Sequence, residues 1–188
     1  IMKQRDIFIS DEGDKWYERN EETILNKDFS KDLVVNEIIT LFDENQNDFD
    51  FKNSHDRIRL LEVGCGEAGR LAYLEKKISN LKCFGVEPSK KAIETANSND
   101  IKAIIGTADN LEFDDGKFDI VIYGFCLYLC DREDLFQIAK EANRVLKDNG
   151  FILILDFFYP GKNKKNKYTH KEGIYSYKMD YRKLFNWH

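Results

Sequence analysis

Only four cysteines, Cys65, Cys83, Cys126 and Cys130, occur in the 188 residues, and no two of them form a C-x-x-C pair. No histidine stands at zinc-finger spacing from them. A disulfide framework and a structural zinc site are therefore excluded as organising principles, and no metal is expected. The cysteines read as free, packed thiols in a reducing compartment. No stretch approaches the roughly 18 apolar residues that a membrane span needs. The start, IMKQRDIFIS, lacks the apolar core of a secretory segment, so a cytoplasmic location without membrane attachment is expected. An excess of positive charge is missing too. With 29 Lys and Arg against 34 Asp and Glu the formal charge is -5, which argues against a nucleic-acid partner. A small-molecule substrate and a monomer or homodimer are the expectation.

The chain does have enough apolar residues, 42%, for one sizeable core. Residues 1–56 read as an N-terminal helical cap or lid. It contains DKWYERNEE and a helical pattern at Val34, Ile38, Leu41 and Phe42, and it ends in the polar connector ENQNDFDFKNSHD. From residue 57 to 188 short apolar runs alternate with amphipathic segments. The runs LLEV, LKCFGVE, IKAIIG, FDIVIYG and FILILDFF have the continuous apolar character of strands buried on both faces. Between them Ser89 is placed to cap a helix bearing Ile93 and Ala96. Asp131 is placed to cap the longest one, with its stripe of Leu135, Ile138, Ala139, Ala142, Val145 and Leu146. Gly150, in KDNG, is read as the permissive residue of the turn into the fifth strand. The alternation predicts an α/β fold with a doubly wound, mainly parallel sheet, whose ligand crevice lies beyond the carboxyl ends of the strands.

Gly64, Gly66 and Gly69 in LLEVGCGEAGRL satisfy G-x-G-x-x-G, and Glu87 ends the next strand at ribose-binding distance. Those features alone also fit NAD. Glu62, two positions before the first glycine, sets a carboxylate where a pyrophosphate would be repelled and a cationic ligand favoured. Asp109, with Asn110 beside it, adds an acceptor beyond the third strand. Three acids at three strand ends match the ammonium and sulfonium, the ribose and the adenine amine of S-adenosylmethionine.

The ordered set LLEVGCGEAGRL, FGVEPS, GTADNLEF, FDIVIYGFCLYL and EANRVLKDNGFILILD resembles the class I S-adenosylmethionine-dependent methyltransferases, of the type 11 kind, over roughly Ile58 to Phe158. The resemblance implies a Rossmann-like fold and S-adenosylmethionine as cofactor, with S-adenosylhomocysteine as product. It implies that Glu62, Gly64, Cys65 and Gly66 surround the methionine end and that Glu87 binds the ribose. Asp109 and Asn110 would hold the adenine amine, Pro88 and Ala108 would line the ring, and Tyr123 would stand at the end of the fourth strand. Tyr17 and Arg19, beside Trp16, are candidates for a lid, with Arg19 reaching the cofactor carboxylate. Tyr128 and His170 are the candidate catalytic residues, and Asp156 ends the fifth strand facing either the crevice or the sheet exit. Lys162, Lys164, Lys165, Lys167 and Lys171 gather on one loop, which as a functional feature would suit an anionic acceptor.

Two departures accompany the resemblance. The segment after the fifth strand is short for the family, so an incomplete sheet edge is expected, with GIYSYKMDY supplying one more strand. The D/N-P-P-Y/F/W signature of base methylation is absent. The expected reaction is methyl transfer to oxygen or nitrogen, less readily carbon, of a small molecule such as a sugar or secondary metabolite. A silent cofactor-binding domain and an NAD-dependent oxidoreductase are the alternatives.

Overall fold

The computed structural model describes residues 2–43, 57–161 and 163–186. The connector read at residues 44–56 and Lys162 lie outside the described residues. Helix α1 (Gln4–Ile7) continues through a π-helical turn (Phe8–Glu12) into α2 (Gly13–Leu25), and α3 (Leu33–Asp43) follows. The regular alternation is β1 (Ile58–Val63), α4 (Gly69–Lys77), β2 (Leu81–Glu87), α5 (Lys90–Ser98), β3 (Lys102–Ile105), β4 (Phe118–Gly124), α6 (Leu135–Val145) and β5 (Leu146–Leu155). The strands form one sheet in the order β3-β2-β1-β4-β5, and every pairing is parallel. The order reverses between β1 and β4, which opens a crevice beyond their carboxyl ends.

Both faces of the sheet are covered, which is why its strands read as unbroken apolar runs. On one face Leu60, Ile120 and Ile122 pack with Ile38, Leu71, Leu74 and Ile93 from α3, α4 and α5. On the other, Leu61, Val63, Val121 and Tyr123 pack against Leu135, Ile138 and Ala142 of α6. Ser89 caps α5 as its position predicts, its Oγ accepting the Ala92 N–H at 3.1 Å. Asp131 does not cap α6. It precedes a 3-10 turn (Arg132–Asp134), and its Oδ2 accepts the Gln4 backbone N–H at 2.7 Å instead.

Strand β5 begins five residues before the expected Phe151, because the ladder slips: Phe118 pairs with Leu146, but Ile120 pairs with Phe151. Residues 147–150 therefore stand opposite Asp119, whose Oδ1 accepts from Lys147 Nζ at 2.7 Å. Within this bulge the left-handed residue is Asn149, at φ 63°, not Gly150. Gly150 is needed for close approach: a Cβ there would lie 2.7 Å from Leu146 Cδ1 and 2.9 Å from the Asp119 carbonyl oxygen. Gly150→Ala is expected to cost about 1–3 kcal/mol by overpacking, read as a lower urea midpoint at unchanged m-value.

After β5 the chain does not extend the sheet. Strand β6 (Lys164–Lys167) pairs antiparallel with β7 (Tyr175–Lys178) in a separate two-stranded sheet. The lysine segment read as a loop is thus largely a strand. Gln4, only 2% exposed, ties this hairpin to the N-terminal helix. Its Oε1 accepts the Tyr175 N–H at 2.6 Å, and its Nε2 donates to the Leu129 and Tyr175 carbonyls at 2.7 and 3.1 Å. Among the described residues β5 is an edge strand, and no helix is long and apolar enough to cross a membrane.

Candidate active site

The crevice at the switch point encloses about 270 Å³. Its floor is the turn after β1. Gly64 adopts φ +76°, and a Cβ there would sit 2.6 Å from Cys126 Cβ. Both the turn and its contact with the β4 exit thus require glycine. Gly66, at φ +56°, has open space where a side chain would be, so its backbone faces the crevice uncovered.

Glu62 lies beneath this turn, 1% exposed. Its Oε1 takes a hydrogen bond from Arg70 Nη1. Arg70 in turn lays Nε and Nη2 on the two oxygens of Asp32, each at 3.0 Å. Asp32 also caps α3 through the Val34 and Val35 N–H groups, at 3.0 and 3.1 Å, and Lys27 Nζ lies 2.6 Å from its Oδ2. Burial works against the Asp32 charge, yet the Arg70 fork and Lys27 hold its carboxyl well below the usual range. Burial dominates for Glu62 and pushes its carboxyl upward against the pull of Arg70. The second oxygen, Oε2, is buried with no hydrogen-bond partner. An unpartnered acceptor on a crevice wall is a place for a cationic donor.

Glu87 stands at the end of β2. Its Oε2 accepts the Gly66 N–H at 3.1 Å and its Oε1 the Ser89 N–H at 3.0 Å, so one carboxylate fixes the glycine turn and the β2–α5 turn together. Burial nevertheless pushes its pKa up to about 7. Cys65, Pro88 and Ala108 line the same crevice, with Asp109 at its far end. The carboxylate expected to serve the adenine amine has a second role: Asp109 Oδ2 accepts from Arg5 Nη1, and Asp134 Oδ2 lies 3.4 Å from the same nitrogen.

Arg5 belongs to the N-terminal helix, which closes over the crevice with Phe8, Gly13 and Trp16 in its lining. A Cβ at Gly13 would lie 3.1 Å from the Ser89 nitrogen and 3.3 Å from the Pro88 carbonyl carbon, so the helix rests directly on the turn that follows Glu87. Asp14 fastens it there, its Oδ1 accepting from Ser89 Oγ at 2.7 Å and from the Lys91 N–H at 3.1 Å. The π-helical turn just before Gly13 is the kind of helix irregularity that gathers at functional sites.

Several residues singled out from the sequence are placed elsewhere. Tyr17 is buried against α5, its hydroxyl 3.4 Å from Thr95 Oγ1, and is absent from the lining. Arg19 does not reach into the crevice. It is claimed by Glu12, which is fully buried and needs a counter-charge, and by the Tyr168 hydroxyl at 2.9 Å. Tyr123 points to the α6 face, because its position on β4 alternates with the residues facing α4, and its ring neighbours Phe185. Asn110 closes a backbone turn with Thr107, at 3.3 Å, and does not line the crevice. Tyr128 stands outside the lining, edge-on to Phe157 with centroids 4.9 Å apart. Burial raises its hydroxyl to about 12, too high for a base near neutrality. His170 is exposed and packs against Tyr168 at 5.3 Å. Asp156 caps the turn after β4, accepting the Tyr128 and Phe157 N–H groups at 3.2 and 2.7 Å. Burial raises its carboxyl to about 6. The described lysines of the basic segment line no part of the crevice; Lys171 pairs with Asp11 at 2.7 Å, and Lys165 lies over Tyr175 at 3.6 Å.

Asp32, Arg70, Arg5 and Phe125, none of them a candidate from the sequence, also shape the site. Asp32 carried a local signal, an acid directly before the apolar run LVV, as a helix cap should be. Arg70, directly after Gly69 in a helix, reads as an ordinary surface residue, and Arg5 reads as part of a polar terminus.

Residues 61–154 match the family model described as a methyltransferase domain. The chain is 34% identical over 108 residues to a demethylmenaquinone methyltransferase of Staphylococcus saprophyticus, covering 54% of this chain and 46% of that protein. It is 31% identical over 167 residues to an uncharacterized protein of Methanocaldococcus jannaschii, covering 85% and 68%. The crystal structure of YcgJ from Bacillus subtilis superposes with a TM-score of 0.50 at 28% identity, over 60% of this chain and 50% of that one. The chain spans about half the length of the demethylmenaquinone methyltransferases it matches. With the family model matched over the strands that build the crevice, the chain belongs to the class I S-adenosylmethionine-dependent methyltransferases.

Proposed function

We propose that this chain transfers a methyl group from S-adenosylmethionine to a small-molecule acceptor. The observation that carries the reading is the crevice itself. An unpartnered buried Glu62 oxygen, an uncovered glycine turn and the Glu87 carboxylate stand in sequence along one wall, with Asp109 at the end. These groups fit the cofactor's ammonium, backbone-hugging chain, ribose diol and adenine amine in that order. The cofactor, when bound, supplies a methyl group already activated on a sulfonium. What remains for the protein is to hold the acceptor in line and exclude water, and the N-terminal helix, with Phe8 and Trp16 in the lining, serves that purpose.

Among the described residues the lining offers no histidine, and its carboxylates at Glu62 and Asp109 are paired with arginines. Such a site suits an oxygen or nitrogen nucleophile that needs little help in losing a proton, and suits a carbon acid less. A pyrophosphate would face Glu62 and Glu87 without a free cation beside them, which disfavours a nicotinamide cofactor. Calorimetric titration with S-adenosylhomocysteine and NAD tests the proposal: the first is expected to bind and the second not, and the reverse result overturns it.

The pKa of Glu87 gives this binding a pH dependence. Ribose hydroxyls donate to the ionised carboxylate, so affinity for S-adenosylhomocysteine is expected to rise with pH and level off above about 7. Below that point it weakens, levelling off about tenfold lower once the carboxyl is protonated. Stability of the ligand-free protein runs the other way. A carboxyl whose folded pKa is raised from 4.5 to about 7 contributes stability that is present below 4.5 and lost as the pH rises through 7. Thermal melts from pH 5 to 8, with and without S-adenosylhomocysteine, are expected to show a widening gap.

A further inference from the structure

We propose that Phe125 is the platform on which the methyl acceptor lies, and that the acceptor is a planar, apolar ring system. The inference rests on the methyl-transfer reading and extends it to substrate class. Phe125 directly follows β4, lines the crevice and is still 45% exposed. Its backbone adopts φ 55°, a region that bulky L-residues avoid and that glycine or asparagine occupies readily. The conformation is held from both sides. The Phe125 N–H donates to the Leu155 carbonyl at 2.7 Å, and the preceding Gly124 lies so close to the buried ion pair that a Cβ would be 2.7 Å from Arg70 Nη1. A phenylalanine kept in a strained, half-exposed position at the mouth of a ligand crevice points to a role in that crevice rather than in the core.

The surroundings define what the ring would meet. Phe157 lies 5.3 Å away at 56°, and is itself engaged by Tyr128 and by Lys178 Nζ, 4.4 Å from its centroid. Phe158 and Tyr159 continue the exposed apolar surface outward, at 58% and 39%. Across the opening the N-terminal helix contributes Phe8 and Trp16 to the lining. The cations in the lining are committed: Arg5 to Asp109, Arg70 to Glu62 and Asp32, and Lys27 to Asp32. Among the described residues of the lining, a phosphorylated or polyhydroxylated acceptor would find aromatic rings and cations already paired with carboxylates, whereas a flat ring would stack.

The test is a fluorescence titration with 2-naphthol of protein saturated with S-adenosylhomocysteine, with glucose 6-phosphate as the polar counterpart. Wild-type protein is expected to bind 2-naphthol and not glucose 6-phosphate. Phe125→Gly is expected to weaken 2-naphthol by about tenfold or more, with S-adenosylhomocysteine affinity within about twofold and a melting midpoint equal to or above wild type, because the strain is relieved. Phe125→Leu, which keeps the bulk and loses the ring, is expected to weaken 2-naphthol as well. Unchanged naphthol affinity in Phe125→Gly, parallel loss of S-adenosylhomocysteine, or preference for glucose 6-phosphate overturns the proposal. Wild type that binds S-adenosylhomocysteine but not 2-naphthol overturns it alone. Wild type that binds no S-adenosylhomocysteine overturns the methyl-transfer reading and this proposal with it.

Discussion

Replacing Arg70 with methionine is expected to destabilise the protein by about 3–5 kcal/mol, the cost of removing one partner from a buried ion network. The guanidinium sits between Glu62 and Asp32, which are 1% and 6% exposed, and both carboxylates lose their principal counter-charge at once. Lys27 remains beside Asp32 but does not bond Glu62. Much of the penalty comes from uncompensated charge rather than from the lost attraction. Adding Glu62→Gln and Asp32→Asn to Arg70→Met is therefore expected to recover a large part of the stability. Urea denaturation of the single and triple variants measures this, and a triple variant as unstable as the single one would refute the electrostatic account. The effect extends to the site. Asp32 caps α3 and Glu62 lines the crevice, so the network joins the N-terminal segment to the crevice wall.

Replacing Glu87 with alanine is expected to weaken S-adenosylhomocysteine by about 100-fold or more, since hydrogen bonds to an ionised group contribute about 1.5–3 kcal/mol each. The substitution removes the proposed partner of the ribose hydroxyls and also the acceptor of the Gly66 and Ser89 N–H groups, so it frees the glycine turn. Glu87→Gln separates these contributions. It keeps one acceptor oxygen and loses the charge, and is expected to weaken binding by roughly tenfold while removing the rise in affinity with pH. Calorimetry at two pH values checks both variants. Affinity unchanged in Glu87→Ala would place the ribose elsewhere and undo the assignment of the wall.

The corrections share a physical cause. Strand β4 is buried on both faces, so its apolar run carries no alternation from which to tell that Tyr123 faces α6 and that the chain beyond it turns Phe125 to the crevice. The glycine at 150 was visible, but its reason was not: the bulge puts the left-handed conformation on Asn149 and leaves Gly150 against the Asp119 carbonyl, a contact made only once β4 and β5 have paired. Arg19 looked free to reach a ligand because the sequence does not show that Glu12 is fully buried beside it. GIYSYKMDY does form a strand, yet it pairs with the lysine segment and docks on Gln4 rather than extending the sheet.

Local chemistry by itself determined the alternation of strand and helix, the parallel sheet, the glycine turn with Glu62 beneath it and Glu87 after it, and the class of cofactor, because each rests on residues close in sequence or at strand ends that the topology must gather at one edge. The tertiary structure alone decided how the N-terminal helix lies across the crevice, which arginine neutralises which buried acid, and which aromatic ring after β4 faces the crevice. Those depend on pairings across 38 residues for Arg70 and Asp32 and 104 for Arg5 and Asp109. Burial fixes the choice of partner at such separations, and burial is a property of the packed chain rather than of any stretch within it.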